Sequence, residues 1–171
     1  MTSATQQPAR VLVLGANGQL ARNTTRVLLQ QSNAQLTLYL RRASRLENPD
    51  PSRVRVVEGD VLDTAALRSA MQGQDLVYAN LAGDMARQAR SIIDAMHETG
   101  VKRLIFISSM GIYGEIPGWF THDAAVDYQL TQKGEPFKGH EVSLNSLSDL
   151  IVKLALTPGM ESRHSLGVSR V

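Results

Sequence analysis

Short apolar runs alternate with amphipathic segments along the first two thirds of the chain. The runs have the length of strands and are apolar at nearly every position, which is typical of parallel strands covered on both faces. The segments between them repeat apolar residues at helical spacing. Predicted strands cover residues 11–14, 35–40, 54–57, 75–79 and 103–107, and predicted helices cover residues 18–31, 63–71 and 83–99. Asp63 is predicted to cap the second helix, and Gly100 is predicted to end the third. This alternation predicts an α/β fold, a doubly wound parallel sheet in the strand order 3-2-1-4-5.

The pattern changes after the fifth predicted strand. Another parallel strand would need a crossover of about a dozen residues, usually helical. Residues 110–121 are instead rich in glycine and proline, and no helical crossover lies between residues 109 and 126, so a sixth strand and its crossover helix are predicted to be lacking. The predicted elements of this part are a strand at 126–131, its antiparallel partner at 137–142, a helix capped by Ser143 and stopped by Pro158-Gly159, and a short strand at 166–171.

The composition limits the class of protein more than it identifies a function. A length of 171 residues fits one domain, and 43% hydrophobic residues are enough to form a core. Cysteine is absent and the four histidines lack ligand spacing, so neither thiolate chemistry nor a metal site is predicted. No signal peptide or membrane-spanning run is visible, which favours the cytoplasm and predicts no membrane partner. With 18 basic and 16 acidic residues, the charge gives little support to nucleic-acid binding.

The first predicted strand runs directly into a glycine turn and the start of a helix. Gly15 and Gly18 supply a turn without side-chain bulk, and Ala21 lies where close packing of helix on strand requires a small residue. The spacing is G-x-x-G-x-x-A, and such a turn is suited to hold the diphosphate of a dinucleotide. The alternative is an ordinary strand–turn–helix junction whose glycines serve packing alone. The residues of this turn that are predicted to bind the cofactor are Gly15, Asn17, Gly18, Gln19 and Leu20.

The end of the second predicted strand bears on the choice between NADP and NAD. An acidic residue about 20 positions after the glycines binds the ribose 2′-hydroxyl of NAD, whereas an arginine there suits the 2′-phosphate of NADP. Here Arg41 and Arg42 occupy that position, with Arg45 nearby, and no Asp or Glu lies between Gln19 and Leu46. Arginine gives a phosphate charge-assisted, often bidentate donors. NADP is therefore predicted over NAD, the alternative being a solvated basic cluster.

Polar and small residues follow the third, fourth and fifth predicted strands, on the same rim as the glycine turn. Asp60 can accept a hydrogen bond from the adenine amine, or it can be a turn aspartate or a helix cap. Asn80 lies where small residues would let a nicotinamide ribose approach, although Asn80 or Gly83 could instead cap a helix. The further residues predicted to bind the cofactor on this rim are Asp60, Val61, Asn80, Ala82 and Ser108.

The predicted catalytic residues are Ser109 and Tyr113, which follow the fifth strand. A hydroxyl there can polarise a substrate carbonyl while hydride is delivered. A tyrosine acts best as a general acid when a lysine lowers its pKa, but the residue four positions after Tyr113 is Pro117. A structural or substrate-contact role for Tyr113 therefore stays open as an alternative.

Several segments together resemble the atypical short-chain dehydrogenase/reductases, and more closely the NAD(P)H-binding, NmrA-like group of bacterial proteins. The segments are 15–22 (GANGQLAR), 38–42 (LYLRR), 59–61 (GDV), 106–113 (FISSMGIY) and, from the C-terminal part of that group, 126–142. The resemblance implies a Rossmann fold that binds NADP on the glycine turn, with Arg41 or Arg42 near the 2′-phosphate and Asp60 near adenine. Many members lack the Tyr-x-x-x-Lys pair, as this chain does, and some are redox-sensing binders rather than enzymes.

The resemblance has one large gap. Family members typically carry a helix and a sixth strand between the segments that match residues 108–111 and 119–121, whereas here Gly118 is followed directly by Trp119. This agrees with the missing crossover that the pattern predicts. The chain is thus predicted to be a single NAD(P)-binding domain over residues 1–171, with a cofactor half at 1–109 and a shortened substrate-side region at 110–171.

These observations support two functions of different classes. The first is an NADP-dependent oxidoreductase that transfers hydride to a small carbonyl or quinone-like substrate. The second is a non-catalytic binder that senses the redox state of NADP and passes it to a protein partner. A fold that binds nucleotide weakly or not at all is a third interpretation. The identity of the small-molecule substrate and the oligomeric state, including a homo-oligomer, stay open.

Overall fold

Five parallel strands form the central sheet of the computed structural model, which describes residues 7–108, 119–121, 126–135, 139, 141–161 and 163–170. The strands are β1 (Arg10–Leu14), β2 (Gln35–Leu40), β3 (Val54–Glu58), β4 (Leu76–Ala79) and β5 (Leu104–Phe106). Their order is β3-β2-β1-β4-β5 and all four pairings are parallel, so the predicted fold class and strand order are confirmed. The sequence numbering of the strands reverses direction between β1 and β4, and in open α/β sheets ligands bind beyond the carboxyl ends of the strands at such a point.

Two layers of helices cover the sheet. The helices are α1 (Gln19–Gln31), α2 (Thr64–Met71), α3 (Met85–Thr99) and α4 (Leu144–Leu156). α1 and α4 pack with Val11 and Val13 of β1 in one core cluster, whereas α2 and α3 pack with Leu12 and Leu14 in the other. Side chains alternate across a strand, so β1 is buried on both faces. This explains its uninterrupted apolar run.

The helix boundaries follow from capping residues in the sequence. Asp63 and Ser143 each accept a hydrogen bond from a first-turn N–H group of α2 and α4, as predicted. Gly100 ends α3 in the left-handed region with a φ of +77°, also as predicted. The predicted start of this helix at Gly83 is early, because Asp84 is the residue that caps it. In the described parts of the chain, no helix is long and apolar enough to cross a bilayer.

The predicted antiparallel hairpin of residues 126–131 with 137–142 is wrong. The strands found in this part are β6 (Trp119–Thr121), β7 (Gln129–Gln132), β8 (Glu141–Ser143) and β9 (Leu166–Ser169). β7 runs antiparallel to β9, and β8 runs parallel to β6. The turn after β7 exists, since Gly134 has a φ of +93° and the Glu135 N–H donates to the Gln132 C=O. Alternation and a turn predict that the chain reverses, but they do not determine which strand becomes the partner.

β5 is less buried than its neighbour β4. All three residues of β5 are partly exposed, whereas the four residues of β4 are all buried. Among the described residues no sixth strand joins the sheet beyond β5, because β6 pairs with β8 in a separate two-stranded sheet. This agrees with the predicted lack of a sixth strand.

Arg53 ties the connection between β2 and β3 to the carboxyl end of α1. Its guanidinium donates to the C=O of Ser32 at 2.7 Å and of Leu29 at 2.8 Å, and it forms an ion pair with Asp50 at 2.8 Å. The last carbonyls of a helix lack intrahelical donors and carry the negative end of the dipole, so a guanidinium there is stabilising. Arg53 thus anchors to α1 the segment that follows β2.

Replacing Arg53 with methionine should lower the free energy of unfolding by about 1–3 kcal/mol, because two helix carbonyls lose a charged donor. Urea denaturation followed by circular dichroism measures the loss. Arg55→Met is the matched control, since Arg55 is an exposed residue of β3. The control should change stability by less than about 0.5 kcal/mol. Equal losses in the two variants would contradict the anchoring role of Arg53.

Candidate functional site

The candidate site lies at the carboxyl ends of β1 and β4, where the strand order reverses. After Leu14 the chain turns through Gly15, whose φ is +74°. The Gly15 N–H donates to the Tyr39 C=O at 3.0 Å, and the Gly18 N–H donates to the Gly15 C=O, also at 3.0 Å. α1 begins directly after Gly18, which caps it without a side chain. A helix N-terminus carries N–H groups without intrahelical acceptors, so this end of α1 favours an anion.

Asn80, the residue after β4, packs against both glycines of the turn. Its N–H donates to the Leu14 C=O at 3.0 Å, which continues the pairing of β1 with β4 past the strand ends. A Cβ on Gly15 would lie 2.1 Å from the Asn80 main-chain oxygen, and a Cβ on Gly18 would lie 2.7 Å from the Asn80 Nδ2 atom. Glycine is therefore required at position 15, where the neighbour is main chain, whereas at position 18 the neighbour is a side-chain amide that would have to shift. The same contacts leave the backbone of the turn without side chains, as a bound diphosphate would also require.

Arg41 and Arg42 directly follow β2, and both side chains are exposed. Arg42 precedes a short 3-10 helix, Ala43–Arg45, whose Arg45 side chain is also exposed. None of the ion pairs found within the described ranges involves these three arginines. Three cationic side chains thus lie together just beyond the end of β2, near the glycine turn.

Glu58 lies at the same edge, and no pattern along the sequence predicts it. It is the last residue of β3 and lies beside Leu40, the last residue of β2. Its Oε2 atom accepts a hydrogen bond from the Ala43 N–H at 2.8 Å. β2 itself contains no acidic residue, but the neighbouring parallel strand β3 brings Glu58 next to its end. The signal that could have found it is the strand pairing, since β2 and β3 end side by side.

Asp60 follows β3 and is exposed. Its Oδ1 atom accepts from the Leu62 N–H at 2.8 Å, so it has the predicted role of a turn aspartate, and its Oδ2 atom takes no part in that bond. Its main-chain oxygen accepts from the Tyr39 hydroxyl at 2.9 Å. Val61 is buried, and its C=O accepts from the Ser91 hydroxyl at 2.6 Å. The turn that carries Asp60 is thus fixed from β2 and from α3.

Tyr39 is a second residue that the sequence did not single out. Its side chain is fully buried, and a Cβ on Gly59 would lie only 2.2 Å from its hydroxyl oxygen. Burial, and then the nearby carboxylates of Asp63 and Asp60, raise the pKa of the Tyr39 phenol from 10.0 to about 12. The phenol is therefore neutral near pH 7 and acts as a hydrogen-bond donor to the turn. Nothing in the alternating pattern of β2 marks this residue as special.

The remaining predicted residues lie on the same rim or outside the described residues. Asp84 is the residue that caps α3, so the alternative that Asn80 or Gly83 serves as a helix cap is wrong. The Ala82 C=O accepts from a helix glutamine, and Ser108 is exposed just after β5. Both predicted catalytic residues, Ser109 and Tyr113, lie outside the described residues. Over the described ranges, no group of three or more histidine or acidic side chains is placed to hold a metal ion.

A known protein family matches the part of the chain that forms most of the candidate site. The model of a family described as NAD(P)H-binding matches residues 15–118, from the first glycine of the turn to the segment before β6. The match includes the glycine turn, the arginines after β2 and the Asp60 turn. It ends where the sequence departs from the expected pattern of strand and crossover helix.

Known relatives share the fold. A Rossmann-fold NAD(P)-binding family protein from Shigella flexneri is 37% identical, with a TM-score of 0.87 over 95% of this chain and 93% of that one. A short-chain dehydrogenase/reductase from Veillonella parvula, solved with NADP, is 23% identical, with a TM-score of 0.85 over 95% and 94% of the two chains. D-erythronate dehydrogenase from Cupriavidus necator is 29% identical over an alignment of 144 positions that covers 70% of this chain. The chain spans only 44% of that enzyme's length.

Gly15→Ala should cost much more stability than Gly100→Ala, although both glycines have left-handed φ angles, +74° and +77°. A Cβ at Gly100 meets nothing within 4 Å, so Gly100→Ala measures the φ cost alone, about 1 kcal/mol. Gly15→Ala adds the collision with the Asn80 oxygen and should lose about 3 kcal/mol or more. Urea denaturation of the two variants measures both values. Similar losses would show that Asn80 does not constrain the turn.

Tyr39→Phe should make the free energy of unfolding depend less strongly on pH in alkaline solution. Folding raises the pKa of Tyr39, so its contribution is complete below pH 10.0 and is lost as the pH rises through about 12. The free energy of unfolding in urea, measured from about pH 8 to about pH 11, should fall more steeply for the wild type than for the variant. Tyr78, whose pKa burial also raises, is present in both proteins, so their difference isolates Tyr39. Parallel curves would rule the effect out.

Proposed function

The chain belongs to the NAD(P)H-binding family, and we propose that it is an oxidoreductase that uses NADP(H) to transfer hydride to a small carbonyl or quinone-like substrate. The glycine turn is the observation that carries the proposal. A left-handed glycine, a second glycine against Asn80 and the start of α1 leave bare backbone beside the positive end of a helix. The residues present therefore fit a dinucleotide diphosphate.

The proposal assigns the adenosine end of the cofactor to the ends of β2 and β3. Arg41 and Arg42 would hold the 2′-phosphate, because exposed guanidinium groups can donate to it in pairs. Asp60 would lie near adenine, with Oδ2 as the acceptor, since Oδ1 already accepts from the Leu62 N–H. The Veillonella parvula relative, which shares this fold, was solved with NADP, and this supports the choice of NADP over NAD.

The proposed chemistry is hydride transfer, and NADPH, when bound, would supply the hydride. The chain's own residues would bind the cofactor and orient the acceptor. Ser109 and Tyr113, which follow β5 in the sequence, stay predictions as the groups that polarise the acceptor carbonyl. D-erythronate dehydrogenase supports the class of reaction. The chain spans less than half of that enzyme, so the proposal goes no further than a small carbonyl or quinone-like acceptor.

NADPH should bind more tightly than NADH when each is titrated separately by calorimetry. The double variant Arg41→Met, Arg42→Met should lose about tenfold in NADPH affinity, since two charge-assisted contacts are removed, and should bind NADH within about twofold of the wild type. Arg55→Met is the matched control, because Arg55 is exposed on β3 and lies beside Thr37, three residues before the end of β2. Tighter binding of NADH by the wild type would overturn the choice of NADP.

Turnover separates the oxidoreductase from the alternative of a redox-sensing binder. NADPH consumption is followed at the nicotinamide absorbance with a panel of small aldehydes, ketones and quinones. An oxidoreductase should consume NADPH with at least one class of acceptor. Tight NADPH binding without turnover on any acceptor would favour the sensor that signals to a protein partner.

A further inference from the structure

Glu58 brings a carboxylate to the place where the proposed function puts the 2′-phosphate. β2 and β3 end together, with Leu40 paired to Glu58, so the side chain of Glu58 reaches the residues that follow β2. Its Oε2 atom accepts from the Ala43 N–H at 2.8 Å. Ala43 comes directly after Arg41 and Arg42. The Glu58 carboxylate thus already accepts a hydrogen bond from a backbone N–H group beside the two arginines.

The donors around this carboxylate are those that a phosphate would use. The Ala43 N–H is a main-chain donor, and it donates to the Glu58 carboxylate. Exposed guanidinium groups of Arg41, Arg42 and Arg45 belong to the same short segment. Backbone N–H groups and arginines together are a typical donor set for phosphate, and a carboxylate satisfies part of the same set.

We propose that Glu58 is a specificity-determining residue, which competes with the 2′-phosphate of NADP for the Ala43 N–H. The inference rests on the proposed function. NADP must displace this carboxylate or bind beside it against like-charge repulsion. NAD carries a 2′-hydroxyl, which can donate to the carboxylate where it is. Glu58 therefore lowers the ratio of NADPH affinity to NADH affinity that the arginines raise.

Glu58 could otherwise serve only to cap the 3-10 helix, and two substitutions separate these roles. Glu58→Gln keeps an oxygen that can accept from the Ala43 N–H but removes the charge. Glu58→Ala removes both the acceptor and the charge. If charge competition is the role, both variants should bind NADPH more tightly. If capping is the role, Glu58→Gln should resemble the wild type and Glu58→Ala should bind both cofactors less well.

The test is calorimetric titration of NADPH and NADH into the wild type, Glu58→Gln, Glu58→Ala and Glu47→Gln. Glu47→Gln is the matched control, because Glu47 is an exposed carboxylate on the same connection. Glu58→Gln should bind NADPH about fivefold more tightly, a change typical of removing one like charge near a surface anion, and should bind NADH no more tightly. The gain should shrink in about 0.5 M salt, since screening weakens the repulsion. The control should stay within about twofold.

Each result decides between distinct conclusions. An unchanged ratio of NADPH to NADH affinity in Glu58→Gln overturns the role of Glu58, while binding of both cofactors leaves the proposed function intact. A gain that does not respond to salt also overturns it, because it would be structural. If the wild type binds neither dinucleotide, the proposed function fails and the role of Glu58 fails with it.

Discussion

The site depends on the close approach of Asn80 to the glycine turn. The Asn80 N–H extends the pairing of β4 with β1 beyond the strand ends, so the Asn80 carbonyl lies directly against the chain leaving β1. No Cβ fits between them, which makes glycine necessary at position 15. The neighbour of β1 on this side is β4 because the strand order reverses there. The placement of β4 beside β1 therefore explains why the turn has no side chains. The same glycines can serve both packing and binding, so these two explanations are compatible.

Tyr39 extends this constraint to the neighbouring strands. Its C=O accepts from the Gly15 N–H, and its hydroxyl donates to the Asp60 C=O at 2.9 Å. One buried residue of β2 thus positions both the glycine turn and the turn after β3. Gly59 is needed beside it, because a Cβ there would overlap the phenol. The predicted binding residues at three strand ends are held by contacts between main chain and buried side chains, so their arrangement does not require a ligand.

The sequence predicts those features that depend on local chemistry. Strand runs, helix faces and the caps Asp63 and Ser143 are encoded within a few residues, and the strand order follows from handedness rules once the alternation is read. The pairing of β7 with β9 could not be predicted, because it joins segments far apart in the chain and alternation alone accepts several partners. The contact of Asn80 with both glycines was missed for a related reason. It depends on which strand lies beside β1, whereas the local sequence presents Asn80 only as a candidate helix cap or as a residue near the nicotinamide ribose.

Glu58 shows why a rule based on spacing along one strand gives an incomplete account of charge at this edge. The rule considers only the end of β2, where arginines occur without an acid. At the edge of a parallel sheet, however, residues from every strand that ends there lie close together. Three exposed arginines and one carboxylate still leave this corner cationic, so the carboxylate reduces the attraction for a phosphate without reversing it. A hydroxyl has no charge to be repelled, and for it the same carboxylate is an acceptor. The charge at such a corner is therefore set by neighbouring strands together, which their pairing shows and the order of residues along one strand does not.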